Sequence, residues 1–318
     1  MKTQITHMLL IVPMLGSVAM AQDTARSTRP PEVPAEYVIT PYGYFHPSCV
    51  RHVSEGETVL ADGRIQHTDG SVDATTPICY FPPYSALGAP VTLGGAYGRG
   101  STPVTNGWVE DISVTTGTAY GKITASWKTP PAPTTNDGQT LFFFPGFEDI
   151  DDVISIVQPV LQWGPSGAGG GAYWAAASWN CCISGIADYS TLIAVNAGDT
   201  MLGSISSTCA AGSASCATWN ILSEDKTTSA KTSLSKTPSD GQVWNWAFGG
   251  VMEVYNVVQC ADYPANSGVT YNVKLYDDNL TLISSPAWTK SPASTHITPN
   301  CSFTLNSTAT RETVGYTP

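Results

Sequence analysis

One glutamine and one glutamate stand inside apolar, strand-like stretches of this sequence. Gln158 lies in the run ISIVQPVLQW, and Glu253 lies in the run FGGVMEVY. An amide or a carboxyl group within an apolar strand is costly unless it is paired or used. A glutamate and a glutamine are sufficient for one hydrolytic chemistry, in which the carboxylate activates a water molecule and the amide stabilises the oxyanion.

Strands are the elements that must position these two side chains. Because alternate side chains of a strand share a face, Gln158 is expected to point the same way as Ile156 and Val160. Gln162 shares that face and is a second candidate amide. From about residue 105, short runs rich in β-branched and aromatic residues alternate with turns. This pattern predicts an all-β fold, an antiparallel β-sandwich of the jelly-roll or lectin-like kind.

The sequence divides into three parts. Residues 1–21 have a lysine at position 2, continue as an apolar stretch and end on a small-x-small pattern, which predicts a secretory signal peptide. Residues 22–100 are punctuated by Gly and Pro and predict a small pro-segment or accessory region. Residues 101–318 form the predicted sandwich. No later run has the ~18–20 apolar residues that a membrane span needs, so we expect a secreted protein without a membrane partner.

Composition excludes several function classes. Only 12% of the 318 residues are charged and the formal net charge is −11, so a nucleic-acid partner is not expected. The five histidines are scattered, and neither CxxC nor HExxH spacing occurs, so no metal and no cofactor are expected.

Eight cysteines in an exported chain favour disulfides. Cys209 and Cys216 bracket a loop of small residues and are the first expected pair. Local order makes Cys49 with Cys79 and Cys260 with Cys301 plausible. The adjacent Cys181 and Cys182 either pair elsewhere or form a vicinal bridge.

The strand sequences resemble those of the eqolisins, the glutamic peptidases of acid-secreting fungi and some bacteria. Their catalytic glutamine follows two aliphatic residues in a strand that ends in an aromatic residue and glycine, as at 156–164 here. Their upstream Ala-Trp-Val-Gly-Ile-Asp strand corresponds to 143–148, and their Ile-Ser-x-Gly-Asp-x-Ile turn to 195–201. Their catalytic glutamate follows two apolar residues, as Glu253 does. Neprosin, a prolyl-cleaving peptidase with two glutamates, is a more distant resemblance.

The resemblance implies a secreted acid endopeptidase that acts on polypeptides, as a monomer and without a metal. Gln158 would orient the water and bind the oxyanion, and Glu253 would be the general base and then the general acid. The side chains expected to contact substrate are Phe144, Trp163, Trp174 and Tyr255. Phe144 stands where the family has its active-site tryptophan, and the strand at 174–179 lacks the family's acid.

Three alternatives remain open at this stage. The 9 tryptophans and 14 tyrosines could instead form a sugar-stacking face of a carbohydrate-binding sandwich, or the fold could be catalytically inert. The acidic cluster at 148–152 could be a calcium loop, although a solvated turn is the preferred interpretation. Residues 22–100 could be a pro-segment released by acid and cleaved within 94–106, or a permanent accessory domain.

Overall fold

The computed structural model describes residues 29–91, 107–151, 155–182, 185–291 and 299–318. Within these ranges the chain forms twenty strands and two short 3-10 helices, Pro47–Cys49 and Cys260–Asp262. The strands are β1 (Val38–Thr40), β2 (Gly43–Phe45), β3 (Val50–Val53), β4 (Thr58–Val59), β5 (Ile65–Gln66), β6 (Trp108–Thr115), β7 (Tyr120–Lys128), β8 (Thr140–Glu148), β9 (Ile156–Ser166), β10 (Gly169–Cys181), β11 (Ala187–Ser190), β12 (Ile193–Ala194), β13 (Thr200–Ser207), β14 (Thr218–Asp225), β15 (Lys231–Pro238), β16 (Trp246–Tyr255), β17 (Gly268–Asp277), β18 (Thr289–Ser291), β19 (Thr304–Ser307) and β20 (Arg311–Gly315).

Two large sheets form a sandwich, which confirms the predicted all-β class. Sheet I has nine strands in the order β18-β6-β16-β8-β9-β10-β11-β3, with β12 paired to β10. Sheet II has seven strands in the order β15-β14-β13-β7-β17-β20-β19. All strand pairs in the two sheets are antiparallel except β11 with β3. In the described part of the chain, no helix is long and apolar enough to cross a membrane.

Side chains on both faces of strand β8 are buried, which explains why its sequence is almost continuously apolar. Phe143 and Phe147 belong to the core between the two sheets, together with residues of sheet II such as Ile123. Phe142 and Phe144 point the opposite way, into a second apolar cluster on the outer face of sheet I. The strand therefore places alternate side chains in two separate cores.

The second cluster is completed by residues 29–91, which we call the N-terminal unit. Its apolar side chains, among them Tyr37, Ile39, Tyr44 and Phe45, are buried against the outer face of sheet I. Strand β3 of the unit also joins the edge of sheet I by pairing in parallel with β11. The N-terminal unit is thus folded and covers one face of the sandwich.

All eight cysteines are paired in disulfides. The three bridges expected from local order are present, and the two adjacent cysteines form a vicinal bridge. The pairs are Cys49–Cys79, Cys181–Cys182, Cys209–Cys216 and Cys260–Cys301. Since Cys49 and Cys79 both lie in the N-terminal unit, no disulfide ties that unit to the rest of the protein.

Candidate active site

The register of sheet I decides which residues meet on its outer face. Glu148 of β8 pairs with Ile156 of β9, and the same register sets Gly146 opposite Gln158. On the other side of β8, Phe248 of β16 pairs with Gly146. Because paired residues point to the same face, Gln158, Gly146 and Phe248 form one row across three strands.

Gln158 is completely buried in the middle of this face. Its amide nitrogen Nε2 donates a hydrogen bond of 2.8 Å to the main-chain carbonyl of Pro41, in the N-terminal unit. Its oxygen Oε1 has no hydrogen-bond partner among the described residues. A buried polar atom without a partner is uncommon in a stable fold and is explained by strain, a bound water molecule or a functional role.

Glu253 is also completely buried, and both of its carboxyl oxygens are held. Trp108 donates to Oε2 from its indole nitrogen at 3.1 Å, and the Tyr255 hydroxyl donates to Oε1 at 2.5 Å. Burial raises the pKa of Glu253 well above its ordinary value. The two hydrogen bonds oppose this rise in pKa, and the negative charge of Glu148 adds to it.

Gln158 and Glu253 share the outer face but are not neighbours in the strand ladder. Glu253 pairs with Phe142, which pairs in turn with Gln162. Gln162 lies four residues from Gln158 along β9, which corresponds to about 13 Å at ~3.3 Å per residue. The two predicted catalytic residues therefore occupy different rows of paired residues. They also lie on strands β16 and β9, which are separated by strand β8.

Two further carboxyl groups on this face were not singled out from the sequence. Glu148 is only 2% exposed, and its Oε2 has no hydrogen-bond partner among the described residues. Burial, and after it the charge of Asp111, raises the pKa of Glu148 well above the ordinary value. Burial also raises the pKa of Asp111 to about 6.

The preference for a solvated turn at 148–152 is wrong for the first two residues of that cluster. Alternation along β8 from Phe142 and Phe144 places Glu148 on the outer face, and this periodicity was the signal that could have found it. Asp149 is also buried and accepts a hydrogen bond from the Val243 main chain. Across the described residues, no cluster of three or more potential ligands could hold a metal ion.

The four aromatic residues expected to bind substrate divide between the two faces of sheet I. Phe144 and Tyr255 lie in the outer-face cluster, close to Glu253. Trp163 and Trp174 point into the core between the sheets, where their ring centroids are 5.4 Å apart. The structure therefore brings Phe144 and Tyr255 to the candidate site and separates the two tryptophans from it.

The side-chain amide of Gln162, the second candidate, is hydrogen-bonded to residues close to it in the sequence. Its Nε2 donates to the carbonyls of Gly164 and Gly169, and its Oε1 accepts from the Ser166 hydroxyl. These bonds close the connection between β9 and β10. Gln162 is accordingly a turn-stabilising residue rather than an alternative to Gln158.

The N-terminal unit closes the outer face. Besides the Pro41 carbonyl on Gln158, the ring of Tyr44 packs edge-on against Tyr255 with centroids 5.2 Å apart. Arg51 of β3 forms a two-pronged ion pair with Asp188 of β11. These contacts cover Gln158 and its surroundings on the outer face.

Solved structures that are similar to this chain include glutamic peptidases. Two structures of Scytalido-glutamic peptidase, one with a peptide-based transition-state analogue and one with a transition-state analogue inhibitor, superpose with TM-scores of 0.47 and 0.46 at 16% and 15% identity. SCP-B, a member of the eqolisin family in complex with the tripeptide Ala-Ile-His, gives 0.45 at 15% identity. Each comparison covers 66% of this chain and 98% of the other.

No protein-family profile matches the chain, and no curated protein sequence is significantly similar to it.

Proposed function

We propose that this protein is a secreted, acid-acting endopeptidase whose site is the outer face of sheet I. One observation carries the proposal: the Gln158 amide already binds a peptide carbonyl, that of Pro41, at 2.8 Å on a face that also holds buried carboxyl groups. An amide donor aimed at a peptide carbonyl is the arrangement needed to stabilise the oxyanion formed when water attacks that carbonyl.

In this proposal Gln158 and Glu253 keep the roles that the resemblance implies, although they lie in different rows of the outer face. Gln158 binds the developing oxyanion, a contact typically worth ~10²–10³-fold in rate. Glu253 takes a proton from water and later gives one to the leaving nitrogen, typically worth ~10²–10⁴-fold. Trp108 and Tyr255 orient its carboxyl group. Phe144 and Tyr255 contribute the apolar surface that a peptide would contact.

The N-terminal unit is a pro-segment in this proposal. It supplies the carbonyl that occupies Gln158, and no disulfide retains it once the chain between residues 92 and 106 is cut. The residues proposed for cleavage, 94–106, all lie outside the described residues. A permanent accessory domain is the alternative, and it would leave the site closed.

The carbohydrate-binding alternative is less well supported. None of the nine tryptophans, all within the described ranges, is exposed, so they do not offer a flat stacking surface. The four disulfides are consistent with an extracellular protein. Polypeptides remain the substrate class, and a monomer remains the expected form.

Activity measurements on the full chain test the proposal. A site-specific protease sequence placed within residues 92–106 allows cleavage on demand, and digestion of a denatured protein is followed from pH 3 to pH 7 before and after cleavage. We expect activity after cleavage only, and its loss in Gln158→Ala and Glu253→Gln. No peptide hydrolysis by the cleaved parent at any of these pH values would refute the peptidase assignment and leave the inert sandwich as the conclusion.

A further inference from the structure

The outer face of sheet II, on the opposite side of the sandwich from Gln158, is basic although the chain as a whole is acidic. Every second residue of its strands is buried, and the residues between them point outward. On the described strands, the outward positions hold one acid, Glu224, whereas the formal net charge of the chain is −11. They also hold six basic residues, which are Lys122, Lys128, Lys231, Lys236, Lys274 and Arg311.

The protein does not neutralise this positive charge itself. Within the described ranges, no ion pair joins any of the six basic residues to a carboxylate. The one outward acid, Glu224, forms its ion pair with Lys226 in the adjoining turn, at 3.0 Å. The ammonium group of Lys122 lies over the ring of Tyr276, 5.7 Å from its centroid. Like charges repel one another, so an anionic partner that neutralises them is attracted to this face.

The register of sheet II arranges three of these cations in a line. Lys122 of β7 pairs with Tyr276 of β17, and Lys274 lies two residues from Tyr276. Arg311 of β20 pairs with Asn272, which is two residues further along β17. A step of two residues is ~7 Å and neighbouring strands are ~4.8 Å apart, so consecutive cations are ~8 Å apart at their Cα atoms. A linear polymer with regularly repeated negative charges can follow this diagonal.

A cavity of about 420 Å³ lies at the Arg311 end of this line. Arg311 and Lys128 both line it, and no aspartate or glutamate of the described residues does. Much of the remaining wall consists of hydroxyl and amide side chains, from Ser126, Thr129, Thr200, Asn266, Thr270 and Asn272. The volume is typical of small-ligand sites and is sufficient for one sugar unit.

Both cations of the cavity have donors available for a ligand. The Nζ atom of Lys128 donates to the Gly198 carbonyl at 3.1 Å and to the Thr200 hydroxyl at 2.7 Å, which leaves one of its three protons. The guanidinium group of Arg311 makes no hydrogen bond or ion pair with any residue that the structure describes. A guanidinium group can bind both oxygens of a carboxylate at once. The cavity therefore suits a small anion that also carries hydroxyl groups.

We propose that the outer face of sheet II binds an acidic polysaccharide, with one anionic sugar unit in the cavity at Lys128 and Arg311. The carboxylate of that unit contacts the two cations, and its hydroxyl groups bond to the serine, threonine and asparagine side chains. The following units run along the diagonal towards Lys274 and Lys122. A nucleic acid fits less well, because bases bind on exposed aromatic rings and the outward aromatic residue of the described strands is the half-buried Tyr276.

This surface does not depend on the proposed peptidase function. It lies on the opposite side of the sandwich from the face that the N-terminal unit covers. A polysaccharide bound there would hold the protein in place and leave the outer face of sheet I unobstructed.

Retention of the full chain on immobilised polygalacturonate at pH 5 tests the proposal. Polygalacturonate carries one carboxylate on each sugar unit, and its methyl-esterified form has the same backbone without the charge. We expect the protein to be retained on the charged polymer and not on the ester. About 0.5 M NaCl should release it, because salt screens exposed charges.

Variants locate the binding surface. Replacing both Lys128 and Arg311 by Gln should raise the Kd for polygalacturonate by ~10-fold or more, the typical loss for charge-assisted hydrogen bonds. The control replaces Arg64 and Lys290 by Gln, which removes the same charge from other surfaces and should keep the parental Kd. Arg311→Gln alone should also weaken binding. It keeps the test valid if the double variant does not fold, because the Arg311 guanidinium group has no partner in the described protein.

Four outcomes would overturn the proposal. They are no retention of the parent, equal retention on the methyl ester, equal weakening in the two double variants, and tighter binding to polyglutamate or single-stranded DNA than to polygalacturonate. The last of these would assign the face to an acidic protein or a nucleic acid instead. Loss of polygalacturonate binding with parental hydrolysis of a soluble denatured protein would show that this surface and the peptidase site act separately.

Discussion

Arg51 in the N-terminal unit and Asp188 in strand β11 form the ion pair that joins the unit to the edge of sheet I. The guanidinium Nε and Nη2 atoms lie 2.7 Å and 3.0 Å from the two carboxylate oxygens, and Asp188 is buried. Two other basic residues of the unit, Arg64 and His67, pair with acids inside the unit itself. Among the described residues, the unit is therefore held by this ion pair, by hydrogen bonds such as that from Gln158 to the Pro41 carbonyl, by the pairing of β3 with β11 and by apolar packing.

Replacing Arg51 should loosen the N-terminal unit. Arg51→Ala leaves Asp188 buried without its partner, and breaking a buried pair in this way typically costs ~3–5 kcal/mol. Limited proteolysis should cut the unit faster in this variant, and urea unfolding should begin at a lower concentration. Arg64→Ala is the matched control, since its pair with Asp62 is at the surface and should be worth ~1 kcal/mol or less. Equal protease resistance of the two variants would contradict this role of Arg51.

The free energy of unfolding should be highest in acid and fall as pH rises. Burial raises the pKa of Glu110 and of Glu312 to about 8 each, from an ordinary value of 4.5. A carboxyl group with a raised pKa binds its proton more tightly in the folded state, so its stabilising effect is complete below about pH 4.5 and is lost as pH rises to about 8. Urea unfolding at pH 4, 6 and 8 measures this slope. The double variant Glu110→Gln and Glu312→Gln should flatten it, and a parent more stable at pH 8 than at pH 4 would contradict the prediction.

Acid should strengthen the docking of the N-terminal unit, contrary to the release mechanism expected from the sequence. The pKa values of Glu148, Glu253 and Asp188 are all raised, chiefly by burial, beneath or beside the unit. The docked state therefore binds protons more tightly than the open state, and lower pH favours it. After cleavage within 92–106, gel filtration should show more unit retained at pH 4 than at pH 7. Greater release of the unit at pH 4 than at pH 7 would contradict this prediction and support acid-triggered dissociation.

Removing the Tyr255 hydroxyl should shift the pH dependence of activity. Its hydrogen bond lowers the otherwise raised pKa of Glu253, so Tyr255→Phe should raise that pKa further. The limb of the kcat/KM profile that reports Glu253 should then move to higher pH. Tyr316→Phe is the control, because that hydroxyl donates to Asn266, in a different part of the fold. Identical profiles for the parent and Tyr255→Phe would show that this contact does not tune the reaction.

Trp163 should be a stability residue and not a substrate contact. Its ring is buried between the sheets against Trp174, and truncating a buried tryptophan typically costs ~3–5 kcal/mol. Trp163→Ala should therefore lower the melting temperature strongly, whereas Phe144→Leu, on the outer face, should mainly change KM. A folded Trp163→Ala protein with parental stability and a raised KM would contradict this prediction and indicate that Trp163 contacts the substrate.

Local patterns determined the fold class and most covalent links of this protein. β-Branched and aromatic runs separated by turns are a local property, so the sandwich could be predicted without knowledge of strand order. The pairing of Cys209 with Cys216 followed from a short intervening loop. The shared face of Gln158 and Gln162 followed from strand alternation, which needs no partner strand.

Only the tertiary structure decided which side chains meet. Neighbours across a sheet depend on strand order and register, which join residues far apart in sequence. This is why Glu148, in an acidic stretch that looked solvated, becomes the diagonal neighbour of Gln158, while Glu253 lies two rows away. The same holds for Pro41, whose carbonyl reaches Gln158 only because apolar residues of the N-terminal unit pack on the outer face of sheet I. The sequence supplies the polar side chains, and packing determines which of them lie side by side.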